Sequence, residues 1–528
     1  MGASVLLVIV VVIAGSDVAA PYVHATVNAR SKKHRPNVLF VLADDLDLAE
    51  MQYMPMTRRL IGGRGATFDN YFVTDSLCCP SRTTTLRGQY PHNTGVRSNG
   101  GSNGGFEAAL RLGVERDTYA TRLQQVGYAN AFFGKYLNHY PGIAGESYIP
   151  PGWASWASPS RGHPYSEYDY TLNVDGNQEA HNRLPRDYGT TVYFGMAEQF
   201  VTQSAQVKQP FYVAVNVYAP HTPSIPAPRD TGLFPTATAP RTPAFDLADV
   251  TGKPAFVRDL PQFTPDETAA IDRLYRRRLR SLQAVDRGVA SMVATLRRTH
   301  ELSKTYIVFA SDNGFHLGEN RLPAGKETAY DTDIHVPLLV RGPGIEAGRH
   351  IGQFALNNDL APTFEAMVGV RPAPFTDGRS LLPLLHGSQP RATRRALLVE
   401  HWPETGPNGQ PRATNHDGKE LEEPQDPDQF DPRLHPDVIS GPNPLRDHTI
   451  LGRLRIIPEY AAVRTSRYLY VEYINGDRER YDLRADPDEV HNLFGTKPKL
   501  DRKLAQRLAA LRLCRAATCR RAEDRRRP

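Results

Sequence analysis

Two pairs of oxygen-bearing side chains, Asp44-Asp45 and Asp312-Asn313, each follow directly on an apolar run. Adjacent carboxylates repel unless a hard cation sits between them, and an all-oxygen donor set suits Ca2+ or Mg2+. Either pair alone reads equally well as a turn or a helix cap. Four such residues after two similar runs are harder to explain as turns. Between the pairs lies Asp75-Ser-Leu-Cys-Cys-Pro-Ser-Arg-Thr-Thr-Thr-Leu-Arg-Gly88. Its vicinal Cys78 and Cys79 read as disulfide partners or as small buried side chains. Pro80 fixes its own φ and biases Cys79 towards extended geometry. Arg82 brings a planar fork of donors suited to anionic oxygens.

The elements that would carry these groups are legible as apolar runs. Val38 to Leu42 is unbroken, the pattern of a parallel strand buried on both faces. Asp44 and Asp45 then fall at its carboxyl end, where open α/β sheets place their ligand sites. Tyr306-Ile-Val-Phe-Ala-Ser repeats the arrangement before Asp312, and Val336 to Val340 is one more strand. The run from Pro210 ends in Pro220-His-Thr-Pro223, where His221 by itself is a loop residue. Residues 115–126 read as an amphipathic helix with Tyr119, Leu123 and Val126 on one side and Gly127 at its end. Residues 222–263 are Pro-rich and irregular, a loop shaping a rim. Thr264-Pro-Asp-Glu267 is a capping box with Pro at the first helical position. The helix after it has Ile271, Leu274, Leu282, Val285, Val289 and Leu296 as its core face. Residues 404–450 read as an extended loop, and 460–474 as a hairpin.

A chain of 528 residues is long enough for two unequal domains. The stretch Val5 to Gly15 is a short apolar region, and Val23-His-Ala25 gives a cleavage site of the exported type. The expectation is a signal peptide over 1–25, an uncleaved anchor being the alternative, and no stable membrane span beyond it. Cys514 and Cys519 are read as a disulfide closing a small loop, with a metal site as the weaker alternative. The net charge of +6 is local. Residues 500–528 hold ten Lys/Arg and three Asp/Glu, a net +7, so the remainder is at −1. No nucleic-acid partner is expected. Leu500, Leu504, Leu508 and Leu511 give the tail one apolar helical face, and a polyanion-docking tail is the alternative to a solvated one.

Cys78-x-Pro80-Ser81-Arg82 with Leu86-x-Gly88 resembles the signature of the type I sulfatases, whose first cysteine becomes formylglycine after translation. In that family the aldehyde hydrate gives one hydroxyl to attack sulfur and a second whose collapse expels sulfate. Arg87 stands where the family usually has Thr. The resemblance runs over roughly 36–495. Asp44, Asp45, Asp312 and Asn313 match the metal-binding pairs, so the implied cation, Ca2+ with Mg2+ as alternative, is held by them and by modified Cys78. Gly127 to Asn138 resembles the second signature, which gives Lys135 a contact to sulfate. Lys326 matches the second sulfate-binding lysine, otherwise a surface residue, and His221 the imidazole that protonates the leaving oxygen. Position 137 is Leu where the family often has His, and His316 is expected to supply that imidazole or else to be structural. Asn358 to Thr363 matches a family segment read as structural, and Arg480 to Leu493 matches its C-terminal segment.

The resemblance implies an α/β, alkaline-phosphatase-like mixed sheet flanked by helices, with a smaller C-terminal α+β domain. The expected boundaries are 36–390 for the catalytic domain, 391–495 for the smaller one and 496–528 for the basic helix and tail. The implied reaction is hydrolysis of a sulfate ester by a secreted or cell-envelope enzyme, with formylglycine-generating enzyme as a partner in maturation. The Gly134-Lys-Tyr-Leu-Asn138 form is closest to N-acetylglucosamine-6-sulfatases and related glycosaminoglycan sulfatases, so a small sulfated sugar or sulfated glycan is the expected substrate. The competing readings are a phosphonate monoester or phosphodiester hydrolase, an aryl- or choline-sulfatase specificity, and a non-catalytic binder of sulfated glycans.

Overall fold

The computed structural model describes residues 35–388, 393–406, 410 and 456–525. The expected signal peptide, and all but a few residues of the 404–450 segment, lie outside these. A ten-stranded mixed sheet forms the larger layer, helices cover it, and a four-stranded antiparallel sheet follows in the chain. This is the expected architecture.

At the centre of the large sheet, strands Thr305–Ser311, Asn37–Asp44, Phe211–Pro220 and Ala129–Gly134 lie side by side and parallel. Every residue of Asn37–Asp44 is buried. Val38, Phe40 and Leu42 enter one core cluster, while Leu39, Val41 and Ala43 enter another. Alternate side chains therefore fill opposite faces, which is why the run is apolar without interruption. The helix Pro265–Arg298 packs on one face, started by the Thr264 capping box and Pro265 in its first turn.

Local details depart from the sequence in two places. The 115–126 segment splits into a short 3-10 turn, Val114–Arg116, and a helix, Tyr119–Gln125, because Thr118 accepts from Thr121 N and restarts the helix. Cys79 is helical, not extended. The helix Cys78–Arg87 begins one residue earlier, and Pro80 falls within its first turn, where its missing N–H costs nothing. Leu338–Arg341, Tyr460–Thr465 and Tyr468–Tyr473 form strands as expected. Cys514 and Cys519 are disulfide-bonded, and Leu504, Leu508 and Leu511 of the helix Pro498–Arg512 are buried. Among the described residues no helix is long and apolar enough to cross a membrane.

Candidate active site

Four neighbouring parallel strands each end on a polar residue of one cluster. Asp44 closes the Asn37–Asp44 strand and Asp45 follows it, while Asp312 and Asn313 follow Thr305–Ser311. His221 follows Phe211–Pro220, and Lys135 follows Ala129–Gly134. Gly134 makes the last placement feasible. Its φ is 107°, and a Cβ there would meet the Asn216 carbonyl oxygen at 1.9 Å. That close approach lets Lys135 N donate to the same carbonyl at 2.8 Å.

Cys78 reaches this cluster from the N-terminus of its helix. Its Sγ lies 3.5 Å from Asp44 Oδ1 and 4.0 Å from Asp45 Oδ1, and Lys326 Nζ donates to it at 2.8 Å. One turn on, Arg82 Nε donates to Asp312 Oδ2 at 2.7 Å and its Nη1 to the Lys135 carbonyl at 2.8 Å. Lys135 Nζ donates to Asp44 Oδ2 at 2.6 Å and Lys326 Nζ to Asp45 Oδ1 at 2.5 Å. His221 Nδ1 lies 2.7 Å from the Thr222 carbonyl, which leaves Nε2 facing Asp45 Oδ2 at 3.6 Å. Asn313 Nδ2 donates to Asp45 Oδ1 at 2.7 Å. Ser81 has a structural task. Its hydroxyl donates to the Asp312 carbonyl at 2.5 Å and accepts from Asn357 Nδ2 at 2.9 Å, tying the cysteine helix to the second acidic pair.

Three carboxylates, Asp44, Asp45 and Asp312, thus face three cations, Arg82, Lys135 and Lys326. All are buried. Burial pushes the Asp45 carboxyl up, but Lys326 and His221 outweigh it and hold it down at about 2. Burial opposes the charge on Lys135 and Lys326 as well, and Asp44 and Asp45 respectively raise both above the ordinary lysine value. The Cys78 thiol is driven well up by burial.

The donor set fits a hard cation. Carboxylate oxygens of Asp44, Asp45 and Asp312 lie within 4.8 Å of one another. Asp45 Oδ2 and Asn313 Oδ1 are buried without a hydrogen-bond partner among the described residues. Buried oxygens are ordinarily satisfied, so unpartnered oxygens on two residues of a carboxylate cluster suit a metal of oxygen preference.

Nine of the residues singled out from sequence therefore meet here. His316 stands apart in its bonding: its Nδ1 lies 2.9 Å from Asp333 Oδ1, and its backbone pairs with Gly325, just before Lys326. Burial lowers the affinity of His316 for a proton, but Asp333 more than reverses that. Arg87 points away from Cys78, donating to the Asp117 carbonyl at 2.8 Å and lying over the Phe375 ring.

Sequence reasoning missed three residues. Arg278 is fully buried, forks onto Glu50 at 2.7 Å through each of two nitrogens and donates to the Asp45 carbonyl at 2.6 Å. It belongs to the basic run Arg276-Arg277-Arg278-Leu-Arg280, yet it stands four residues from both Leu274 and Leu282, inside the apolar stripe. Asp333 holds the Lys326 loop by accepting from His316, Thr328 N and Thr328 Oγ1. Tyr165 flanks the site, its ring 4.6 Å from that of His221 and 4.8 Å from Lys135 Nζ. Nothing in the sequence around the latter two marks them.

A family model described as Sulfatase matches residues 36–370. Human N-acetylglucosamine-6-sulfatase is 34% identical over 502 residues, which is 92% of this chain and 86% of that protein. An extracellular sulfatase SULF-1 homolog of Drosophila melanogaster is 37% identical over 380 residues, covering 71% of this chain. The chain spans only 33% of that longer relative. A solved structure of a protein in complex with its substrate D-glucosamine-2-N,6-O-disulfate superposes with a TM-score of 0.70 at 23% identity, covering 90% of this chain and 97% of that one. With its alkaline-phosphatase-like fold, this chain belongs to the sulfatase family and is a sulfuric ester hydrolase.

Proposed function

We propose that this chain is an exported sulfatase that removes the 6-O-sulfate of N-acetylglucosamine-type sugars, using formylglycine made from Cys78 and one bound Ca2+. The observation that carries the reading is the setting of Cys78 Sγ, 2.8 Å from Lys326 Nζ and 3.5 Å from Asp44 Oδ1. A hydrated aldehyde at that position supplies one hydroxyl to attack sulfur and a second to release sulfate. Asp44, Asp45, Asp312 and Asn313 would hold the cation, which supplies positive charge beside the sulfate. The three carboxylates and three cations of the site cancel, so a divalent ion leaves the pocket with two positive charges for an anionic substrate.

In this reading Arg82, Lys135 and Lys326 meet sulfate oxygens on which negative charge builds up in the transition state. His221 Nε2 gives a proton to the leaving sugar oxygen while the Thr222 carbonyl fixes the ring through Nδ1. His316 acts as a positioning residue, because Asp333 and the Gly325 pairing make it a clamp on the Lys326 loop. The apolar stretch at Val5–Gly15 and the extracellular Drosophila relative support export, with residues 1–25 as the leader. The human relative's name supports the sugar, and the catalytic unit is taken as 36–390 with a smaller unit over 391–495.

The test compares 2-O-, 3-O-, 6-O- and N-sulfated monosaccharides with choline sulfate, a nitrophenyl sulfate and an aryl phosphonate ester. N-acetylglucosamine 6-sulfate is expected to give the highest kcat/KM. Preference for choline sulfate or the aryl sulfate over every sugar would overturn the sugar assignment, and preference for the phosphonate would overturn the proposed reaction.

A further inference from the structure

The tail of the chain directs its acids and its cations to opposite sides. Residues 498–525 hold three carboxylates, Asp501, Glu523 and Asp524, and all three pair with arginines of the rest of the chain. Arg480 Nε donates to Asp501 Oδ1 at 2.6 Å, Arg394 Nε to Glu523 Oε2 at 2.9 Å and Arg379 Nη1 to Asp524 Oδ1 at 2.9 Å. Together with the buried Leu504, Leu508 and Leu511, these pairs fix the helices Pro498–Arg512 and Ala517–Asp524 to the body of the protein. The cations of the same segment face outward. Lys499, Arg502, Lys503, Arg512, Arg515 and Arg521 are all exposed, and among the described residues no carboxylate pairs with any of them.

Lys499, Arg502 and Lys503 stand three and four residues apart, so they share the helix face that the leucines leave free. Like charges at that spacing weaken a helix, so the needs of the fold do not account for them. One turn beyond Lys503, Arg507 donates to the carbonyls of Glu523 at 3.1 Å and Arg525 at 2.9 Å. Burial, and then Arg395 and Arg525, weaken the hold of Arg507 on its proton, so two more exposed guanidiniums lie close to this end of the face. Residues 496–528 contain no Trp, Tyr, Phe or His. The face therefore lacks the stacking platforms of single-strand nucleic-acid binders and the aromatic anchors of helices that lie in membranes. It offers fixed positive charge and guanidinium forks, which match the oxygens of repeated sulfate groups.

We propose that this face is a docking surface for a sulfated polysaccharide, separate from the Cys78 pocket, and that it captures the polymer whose sugars the pocket hydrolyses. The inference rests on the sugar reading above and deepens it, by making the substrate part of a polyanionic chain. The charge distribution favours the same end of the molecule. Ten Lys/Arg less three Asp/Glu leave residues 500–528 at +7, against −1 for the rest, so a polyanion is drawn to the tail and not to the body. The tail cations bear on KM for a polymer and carry no part of the sulfur chemistry.

The experiment measures binding of the purified full-length enzyme to dextran sulfate as NaCl is raised from about 0.1 M, where charges act over about 10 Å. The tail variants are Lys499→Glu/Arg502→Glu/Lys503→Glu and its Gln counterpart. Arg58→Glu/Arg59→Glu/Arg64→Glu makes the same change of net charge at exposed arginines elsewhere. Tm and turnover of a nitrophenyl sulfate are recorded for each protein. The Glu triple in the tail should bind dextran sulfate at least about tenfold more weakly than wild type, with the Gln triple intermediate. Both should raise KM for a sulfated oligosaccharide and leave turnover of the aryl ester unchanged. The Arg58 triple should bind within about twofold of wild type, because its charges lie outside the docking face. The proposal is overturned if folded tail variants bind as tightly as wild type or if the Arg58 triple loses as much. Tighter binding of duplex DNA or of phosphatidylserine vesicles than of dextran sulfate at equal ionic strength would overturn it too. Should the Glu triple fail to fold, the Gln triple decides. Turnover of the aryl ester but of no sugar defeats the sugar reading and the substrate part of this inference, whereas sugar turnover with unaltered binding in the variants defeats the docking surface alone.

Discussion

Arg278 donates to the carbonyl of Asp45 at 2.6 Å from the far side of the acidic pair, so a residue of the long helix sets the backbone of a metal-type carboxylate. Asp45 has a φ of 66°, a conformation bonded on both sides of the residue, its N–H donating to Asp312 Oδ1 at 3.1 Å and its carbonyl accepting from Arg278. Arg278→Ala leaves Glu50 buried and unpaired, and should cost about 3–5 kcal/mol of stability as well as most of the turnover. Pairing Arg278→Met with Glu50→Leu should recover stability in urea unfolding without recovering turnover, because the Asp45 carbonyl stays unheld. Full activity in the double variant would show that the contact does not position the site.

Cys78→Ala should abolish sulfate ester hydrolysis and leave Tm within a few degrees of wild type. The change removes only the small polar end of the side chain, thiol or hydrated aldehyde, from a fully buried site, and helix propensity at that position favours Ala. Peptide mass spectrometry of the active wild type should find an aldehyde at Cys78 and an intact thiol at Cys79. An unmodified Cys78 in fully active enzyme would end the mechanism proposed.

Stripping divalent ions should lower both activity and Tm, and Ca2+ should restore them. A cation at about a hundredfold its Kd adds about 2.7 kcal/mol to the folded state. Asp312→Asn should weaken the Ca2+ dependence of Tm, since Asp312 contributes one of the three convergent carboxylates. A Tm that is independent of Ca2+ in the wild type would count against the site.

His401 makes stability sensitive to acid. Burial holds it at about 4, against about 6.5 when exposed, so the unfolded chain binds a proton that the folded one refuses. Stability from this group is intact above pH 6.5 and falls as pH drops towards 4, by about 3 kcal/mol in all. His401→Phe should flatten that part of the profile. Identical slopes for variant and wild type between pH 6.5 and 4 would refute the assignment.

The sequence reveals the acidic pairs because each ends a strand buried on both faces, and such strands carry an unmistakable apolar run. Lys135, Lys326 and His221 were legible only through family motifs, for their geometry depends on four strands packing in one order. Pro80 misled on Cys79 because a proline in the first turn of a helix disturbs nothing, while the same residue elsewhere forces extension. Arg278 was hidden among basic neighbours, and its burial shows only when helical period outranks charge. Asp333 and Tyr165 act through tertiary contacts that leave no local trace. The 404–450 loop reading falls almost wholly outside the described residues.

Cys78 has no solvent exposure and is walled in by groups from residues 44, 45 and 326. A modifying enzyme has no route to such a sulfur once those distant segments have come together. The conversion proposed here is thus confined to a window in time, open while the chain is still emerging and shut when the last of the four strands docks. Folded protein that missed the window should stay inactive on later exposure to the modifying enzyme, and its Cys78 should resist alkylation until the chain is unfolded.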